Sequence, residues 1–345
     1  MSLADQLKSV KLRSTVGPKE KSNEQLLCPD SETYRKLMNE TQFECYFDKI
    51  EKWTFPSVII PMNHDDIDAL RQGYIYFKSL SSTDDDDKRT EECFEKYPRL
   101  KILAQTIDSC NTIPRPIFVR LSTRSAKDAI LFLSKNKFQQ TYQTIYDRLQ
   151  TNHEYNRRLL ALDETTIRLL AVNDGFHAIQ LLLASERIQD DLCSSTSINL
   201  IVRQFLIDRT NLKSEFRAFI YKRQFTALTQ YNEYIVDEYL IANKDKILKT
   251  IQQFFSRENL LEQIPYENCV LDLILIENDD DQYFQVCICE INPLAEFAGT
   301  GLFSWLDDRK ILLGIEPFQF RIRENYPNES VFNTNEQWQS LINNL

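Results

Sequence analysis

The sequence predicts an α+β protein with antiparallel sheets, and three observations carry that expectation. Strand-like runs follow one another late in the chain, "SINLIVRQFLI" (197–207), "SEFRAFIYKRQFTALTQY" (214–231) and "NCVLDLILIENDDDQYFQVCICEIN" (268–292), and adjacent runs joined by short turns favour antiparallel pairing. Between them, "KDKILKTIQQFF" places Ile247, Leu248, Ile251, Phe254 and Phe255 at helical spacing. Glycine is scarce, with six residues at 17, 73, 175, 299, 301 and 314. Neither a GxGxxG turn nor a GxxxxGK[ST] phosphate loop is present, so any nucleotide site must use another design.

Residues 1–40 are polar, lack sustained apolar periodicity and are expected to form a flexible tail, helical in part. The pattern changes at "CYFDKIEKWTFPSVIIPM", where aromatics and a β-branched run bounded by prolines mark the first strand. "NHDDIDALRQGY" follows as a capped helix. Residues 79–92, "SLSSTDDDDKRTEE", combine serines and acids and are expected to be a solvated acidic loop. In "TIPRPIFVRLSTRSAKDAILFL" we expect a strand at Ile117–Leu121 and a helix from about Ala126, its start marked by the capping-box spacing of Ser125 and Asp128. Residues 164–186 read as helix with a break at "NDG".

Composition narrows the function. A mass of 40.7 kDa, 42% apolar and 11% aromatic residues indicate a folded protein. The charge is 41 − 51 = −10, which argues against nucleic acid as the main partner and suits basic proteins or metal–nucleotide complexes. Eight cysteines without a CxxC pair, beside three histidines, argue against a zinc site. No signal peptide and no apolar run of about 18 residues are evident, so a soluble monomer with free thiols in a reducing cytoplasm is the expectation.

The strongest chemical signal is "CEINP" at 289–293. Side chains alternate along a strand, so Glu290 and Asn292 share a face. If 268–292 forms a symmetric hairpin about residue 281, Asp272 faces Glu290. Two facing carboxylates repel, and relieving them takes protonation or a cation. Two carboxylates and one amide oxygen suit Mg²⁺, whose remaining positions go to water and phosphates; the alternative is an edge hairpin with its acids in solvent. Arg217 in "SEFRAFI" and Arg120 in "IFVRLS" are lone bases in apolar strands, which either extend to water or meet phosphate. Arg203 is a weaker candidate, in a run that could instead pair an adenine edge through its backbone. His153 has no adjacent nucleophile, and His177 in "GFHAIQLLL" reads as a packed or surface residue.

In order along the chain, "FPSVIIPM", "FVRLSTRSAKDA", "EFRAFIYKRQFTALTQY", "IQQFF", "VLDLILI" and "CEINPLAEFAGTGLFSW" resemble the cell-division-cycle protein 123 family, also called the D123 family, over roughly residues 43–322. The resemblance implies an ATP-grasp fold, in which two α+β subdomains with antiparallel sheets hold ATP and Mg²⁺ in a cleft. The subdomains would span 41–195 and 196–322, with a tail at 323–345. Carried over by position, Asp272, Glu290 and Asn292 fall on the metal ligands and Arg217 on the phosphate-side arginine. Ile201, Val202 and Arg203 fall on the hinge bordering adenine. Arg120 stands where the family commonly has a phosphate-binding lysine, and Thr123 and Ser125 of the following "STRS" complete the cofactor set. Arginine there keeps the charge and adds a fork. The family's role implies an ATP-dependent assembly chaperone that binds the gamma subunit of eukaryotic translation initiation factor 2. A ligase or phosphotransferase activating a carboxylate, and a scaffold that no longer binds nucleotide, are the alternatives.

Overall fold

A computed structural model describes residues 31–80, 85–133, 135–151, 153–194, 197–206, 210–257, 259–277 and 284–326. The chain forms two compact units, one centred on Pro56–Ile207 and one combining Met1–Phe55 with Asp208–Pro327. The expected break near 195 therefore lies at 207, and residues 43–55 belong with the later strands rather than with the first subdomain.

The unit Pro56–Ile207 holds a three-stranded antiparallel sheet of β1 (Ser57–Pro61), β2 (Ile117–Leu121) and β3 (Asn199–Gln204), with β3 in the centre. β2 spans the residues expected. Leu200 and Val202 of β3, with Val119 and Leu121 of β2, enter a large apolar core filled by helices. The helix His64–Ser79 starts at the anticipated cap, where the Asn63 side chain accepts from Asp66 N–H and Asp66 accepts from Asn63 N–H. The helix Gly175–Ala184 is almost wholly buried and packs on Pro98–Asp108 and His64–Ser79.

The acidic run departs from its expectation as a loop. Residues 81–84 lie outside the described residues, but Asp86–Lys96 is a helix, with the Asp85 side chain accepting from Lys88 N–H. Asp86 and Asp87 occupy the first turn, where exposed amide groups favour negative charge. The segment also buries a face: Arg89 bonds to Asp86, its guanidinium lies 4.1 Å from the Phe77 ring centroid, and Cys93 is in the core. Acids that look like a solvated stretch are therefore helix-start residues.

Ser125 and Asp128 also part company. Lys127–Leu131 is a short 3-10 helix with no side-chain cap, and Ser125 bridges back to Arg120. Buried Asp128 instead serves a helix far along the chain, Glu186–Ser194: Oδ1 accepts from Ser185 Oγ at 2.6 Å, Oδ2 from Arg187 N–H at 3.1 Å, and Ser185 Oγ accepts from Ile188 N–H at 3.1 Å. Asp128→Ala leaves these donors buried, and we expect a loss of about 2 kcal/mol of unfolding free energy by urea titration. Asp128→Asn should retain part of it.

The second unit is built on a five-stranded sheet. Its strands are β4 (Thr210–Tyr221), β5 (Gln224–Gln230), β6 (Cys269–Glu277), β7 (Phe284–Pro293) and β8 (Gln319–Arg321), in the order β7-β6-β4-β5-β8. All pairs are antiparallel except β5 with β8. β4 and β5 turn at Lys222 and Arg223, both at positive φ (50° and 57°) without glycine. Lys222 N–H donates to Asn268 Oδ1 (2.8 Å) and Arg223 N–H to Glu267 O (2.9 Å), which hold that two-residue turn in place.

The helix Lys244–Arg257 buries Ile247, Ile251 and Phe255, packs on β7 and sets Phe255 against Phe225, ring centroids 4.5 Å apart. The early residues join here for apolar reasons. Phe43, Tyr46 and Ile50 are fully buried, the helix Phe43–Ile50 packs on β7, and Trp53 meets Phe254 edge-on. Residues 31–40, the end of the expected tail, are a helix that sets Tyr34 against Phe297.

Candidate functional site

Paired residues on neighbouring strands project to the same face, so sheet register decides which side chains meet. Across β7, β6, β4, β5 and β8 the register aligns Glu290, Asp272, Arg217, Thr229 and Arg321 in one row. Asp272 does pair with Glu290, as hairpin symmetry predicts. Asn292 lies one position further along the same face.

The charge at the centre of this row is balanced within the protein. Arg217 donates through Nε to Asp272 Oδ1 and through Nη2 to Asp272 Oδ2, both at 2.8 Å, and Asn292 Nδ2 donates to Oδ2 at 3.0 Å. The cation that facing carboxylates require is thus supplied in part by Arg217, which the family resemblance puts on the phosphate side. Arg217 also donates from Nη1 to Gly299 O at 2.7 Å and lies 4.9 Å from the Tyr231 ring centroid. Burial alone would lower the Arg217 pKa, but the Asp272 carboxylate outweighs it and raises the pKa, so the guanidinium stays charged. Near it, burial pushes the Glu233 carboxyl up, against hydrogen bonding from Tyr234 and the pull of Arg323 and Arg217.

Backbone from residues 294–313 covers the adjoining part of this face, where Leu294, Phe303, Ile311 and Leu312 pack on Phe219, Ala227 and Val270. Two glycines permit the approach. A Cβ at Gly299 would stand 2.9 Å from Arg217 Nη1, and one at Gly301, at φ +58°, 2.7 Å from Thr229 Cγ2. Thr229 Oγ1 accepts from Leu302 N–H (3.2 Å), and Arg321 closes the row with two bonds to Asp308 at 2.7 and 2.8 Å. Thr229, Gly299 and Arg321 were not singled out from sequence. The "GTG" spacing and the basic residue of a three-residue strand were the available signals.

The other candidates lie in the first unit. Register puts Arg120, Ile201 and Arg203 on one face of its sheet and Val202 on the opposite face, in the apolar core, and all four side chains are buried. Arg120 Nε donates to Leu121 O (3.0 Å) and Arg203 Nε to Ser57 Oγ (3.2 Å). Ser125 returns beside Arg120 through their bridge, but the Thr123 hydroxyl bonds to Asp191, which also receives Arg124 Nε at 2.8 Å. Burial raises the Asp191 pKa despite those partners. Thr123 is therefore held by an internal acid.

Among the described residues no three His, Cys, Asp or Glu side chains gather as a metal set. The donors on the five-stranded sheet are of a different composition: two carboxylates and an amide whose oxygen accepts no hydrogen bond from a described residue. Hard oxygen donors in this number fit Mg²⁺, with Arg217 as a competitor for Asp272. Among the described residues no helix is long and apolar enough to cross a membrane.

The architecture has solved counterparts. A structure of Cdc123 from Schizosaccharomyces pombe matches with a TM-score of 0.56 at 16% identity, covering 84% of this chain and 97% of that one. A C-terminally truncated form of the same protein matches with a TM-score of 0.56 at 16% identity, covering 85% and 98%. The fold is thus that of a two-unit α+β protein of the Cdc123 kind. The D123 family model matches residues 46–340, and the chain belongs to the D123 family. A search of curated proteins finds no match.

Proposed function

We propose that this chain binds ATP with Mg²⁺ in an ATP-grasp arrangement and acts as an assembly chaperone for the gamma subunit of eukaryotic translation initiation factor 2, as its family resemblance implies. The observation that supports this most is the row in which Asp272 and Glu290 stand beside Asn292 and the buried Arg217. In this reading Asp272, Glu290 and Asn292 hold the metal and Arg217 meets phosphate. Arg120, with Ser125 beside it, adds phosphate-side charge, and the backbone of Ile201, Val202 and Arg203 borders the base. Bound Mg²⁺ supplies neutralisation of polyphosphate charge.

A pull-down tests the role. The wild-type chain should retain the gamma subunit, at least threefold more with Mg²⁺-ATP than without, and Glu290→Gln should lose that dependence. ADP released in step with a new covalent bond on an added carboxylate would replace the chaperone reading with a ligase. Failure to retain the gamma subunit under any condition would remove it.

A further inference from the structure

A cavity of about 340 Å³ opens beside the edge strand β8, a size ordinary for small-molecule sites. Leu302, Phe320 and Ile322 are its apolar lining, Lys244, Arg321 and Arg323 bring three cations, and Glu324 and Asn325 complete it with one acid and one amide. In a chain of net charge −10 that is a local reversal of sign.

The three cations are not equivalent. Arg321 is satisfied by both oxygens of Asp308. Lys244 Nζ lies 2.7 Å from Glu324, but these side chains are 35% and 53% exposed, so the pair is weak and exchangeable. Arg323 is held and yet open. Its backbone N–H donates to Gln230 Oε1 (2.6 Å) and its Nε to Glu233 O (2.8 Å), while its two Nη nitrogens hydrogen-bond to no described residue. A guanidinium fixed at Nε and open along its Nη edge presents a fork to an oxyanion, with less side-chain freedom to lose on binding.

The structure assigns to this cavity a binding site for a small organic anion, its carboxylate or phosphate on the Nη edge of Arg323 and on Lys244, its apolar body against Leu302, Phe320 and Ile322. The site adjoins the far end of the Asp272 row, with which it shares Arg321, and lies apart from the donors Asp272, Glu290 and Asn292. Arg321, on its wall, pairs with Thr229, which pairs with Arg217, and two strand spacings put Arg321 about 10 Å from Arg217.

Calorimetric titration of the full chain with benzoate, phenyl phosphate and inorganic phosphate at low ionic strength tests this. One of the two aromatic anions should bind at a single site, the tighter one identifying the head group, and inorganic phosphate should bind about tenfold more weakly for want of an apolar body. Arg323→Gln should weaken binding about tenfold or more and Lys244→Gln about threefold, with Glu290→Gln unchanged. If Arg323→Gln does not fold, Arg323→Lys, which keeps the charge and removes the fork, should lose about threefold. Absence of saturable binding, binding unaffected by the Arg323 variants, or equal affinity for inorganic phosphate would overturn the assignment.

Discussion

Asp272→Ala is expected to lower the free energy of unfolding by about 3–5 kcal/mol, measured by urea titration, besides removing a proposed metal ligand. The Arg217 and Asp272 side chains are 13% and 3% exposed, so deleting the acid strands a guanidinium away from water. Its pKa stays above any working pH, which closes the escape of losing the proton. The large figure is the cost of the unpaired charge and not the worth of the pair. Replacing both partners, as Arg217→Met with Asp272→Leu, should therefore recover most of the loss, since apolar side chains of similar volume satisfy the same space. A single-mutant loss below about 1 kcal/mol, or a double variant no more stable than Asp272→Ala, would show that the pair is solvated and the row is not the buried unit described.

Gly175→Ala should cost about 3 kcal/mol, with the same measurement. A Cβ at Gly175 would lie 2.0 Å from Ala104 O and 2.6 Å from its carbonyl carbon, atoms of the helix Pro98–Asp108 that cannot rotate aside. Gly175 N–H also donates to Asp108 Oδ1 at 2.7 Å, so the two helices are fastened where they would be forced apart. Alanine's helix propensity offers at most about 1 kcal/mol in return, and less at a first-turn position. Gly73→Ala is the control: there the obstacles, at 2.9 Å, are the ends of the Leu100 and Leu183 side chains, which can shift, and the expected loss is about 1 kcal/mol. Equal losses at both sites would contradict the close helix contact.

What could be read from sequence was local or symmetric. The Asp272–Glu290 pair follows from counting back from a turn centred on residue 281; the turn-side pairs, Glu277 with Phe284 to Leu273 with Ile288, are offset from that centre, and a one-residue bulge between Leu273 and Asp272 restores the register that sets Asp272 opposite Glu290. β2 and the Asn63 cap are signalled within a few residues of themselves. Features missed depend on partners far along the chain. Asp128 looks like a cap for its own helix, yet its partners Ser185 and Arg187 are 57 and 59 positions away. Phe43 and Tyr46 join a sheet whose strands begin at residue 210, which no composition shift announces. The resemblance places Arg217 on the phosphate side, and its pairing with Asp272 is not legible in its own strand because it is a matter of register between β4 and β6.

The central claim is that Asp272, Glu290 and Asn292 hold Mg²⁺-ATP, and calorimetric titration of ATP into the wild-type chain and Glu290→Gln, with Mg²⁺ and with chelator, tests it most directly. Glu290 is the suitable probe because it is only partly buried and its loss leaves the Arg217–Asp272 pair intact. The account predicts saturable one-to-one binding that weakens at least about tenfold without Mg²⁺ and comparably in Glu290→Gln, whose unfolding midpoint stays near wild type. Absence of ATP binding by the folded wild-type chain, or binding indifferent to both Mg²⁺ and Glu290, would contradict it.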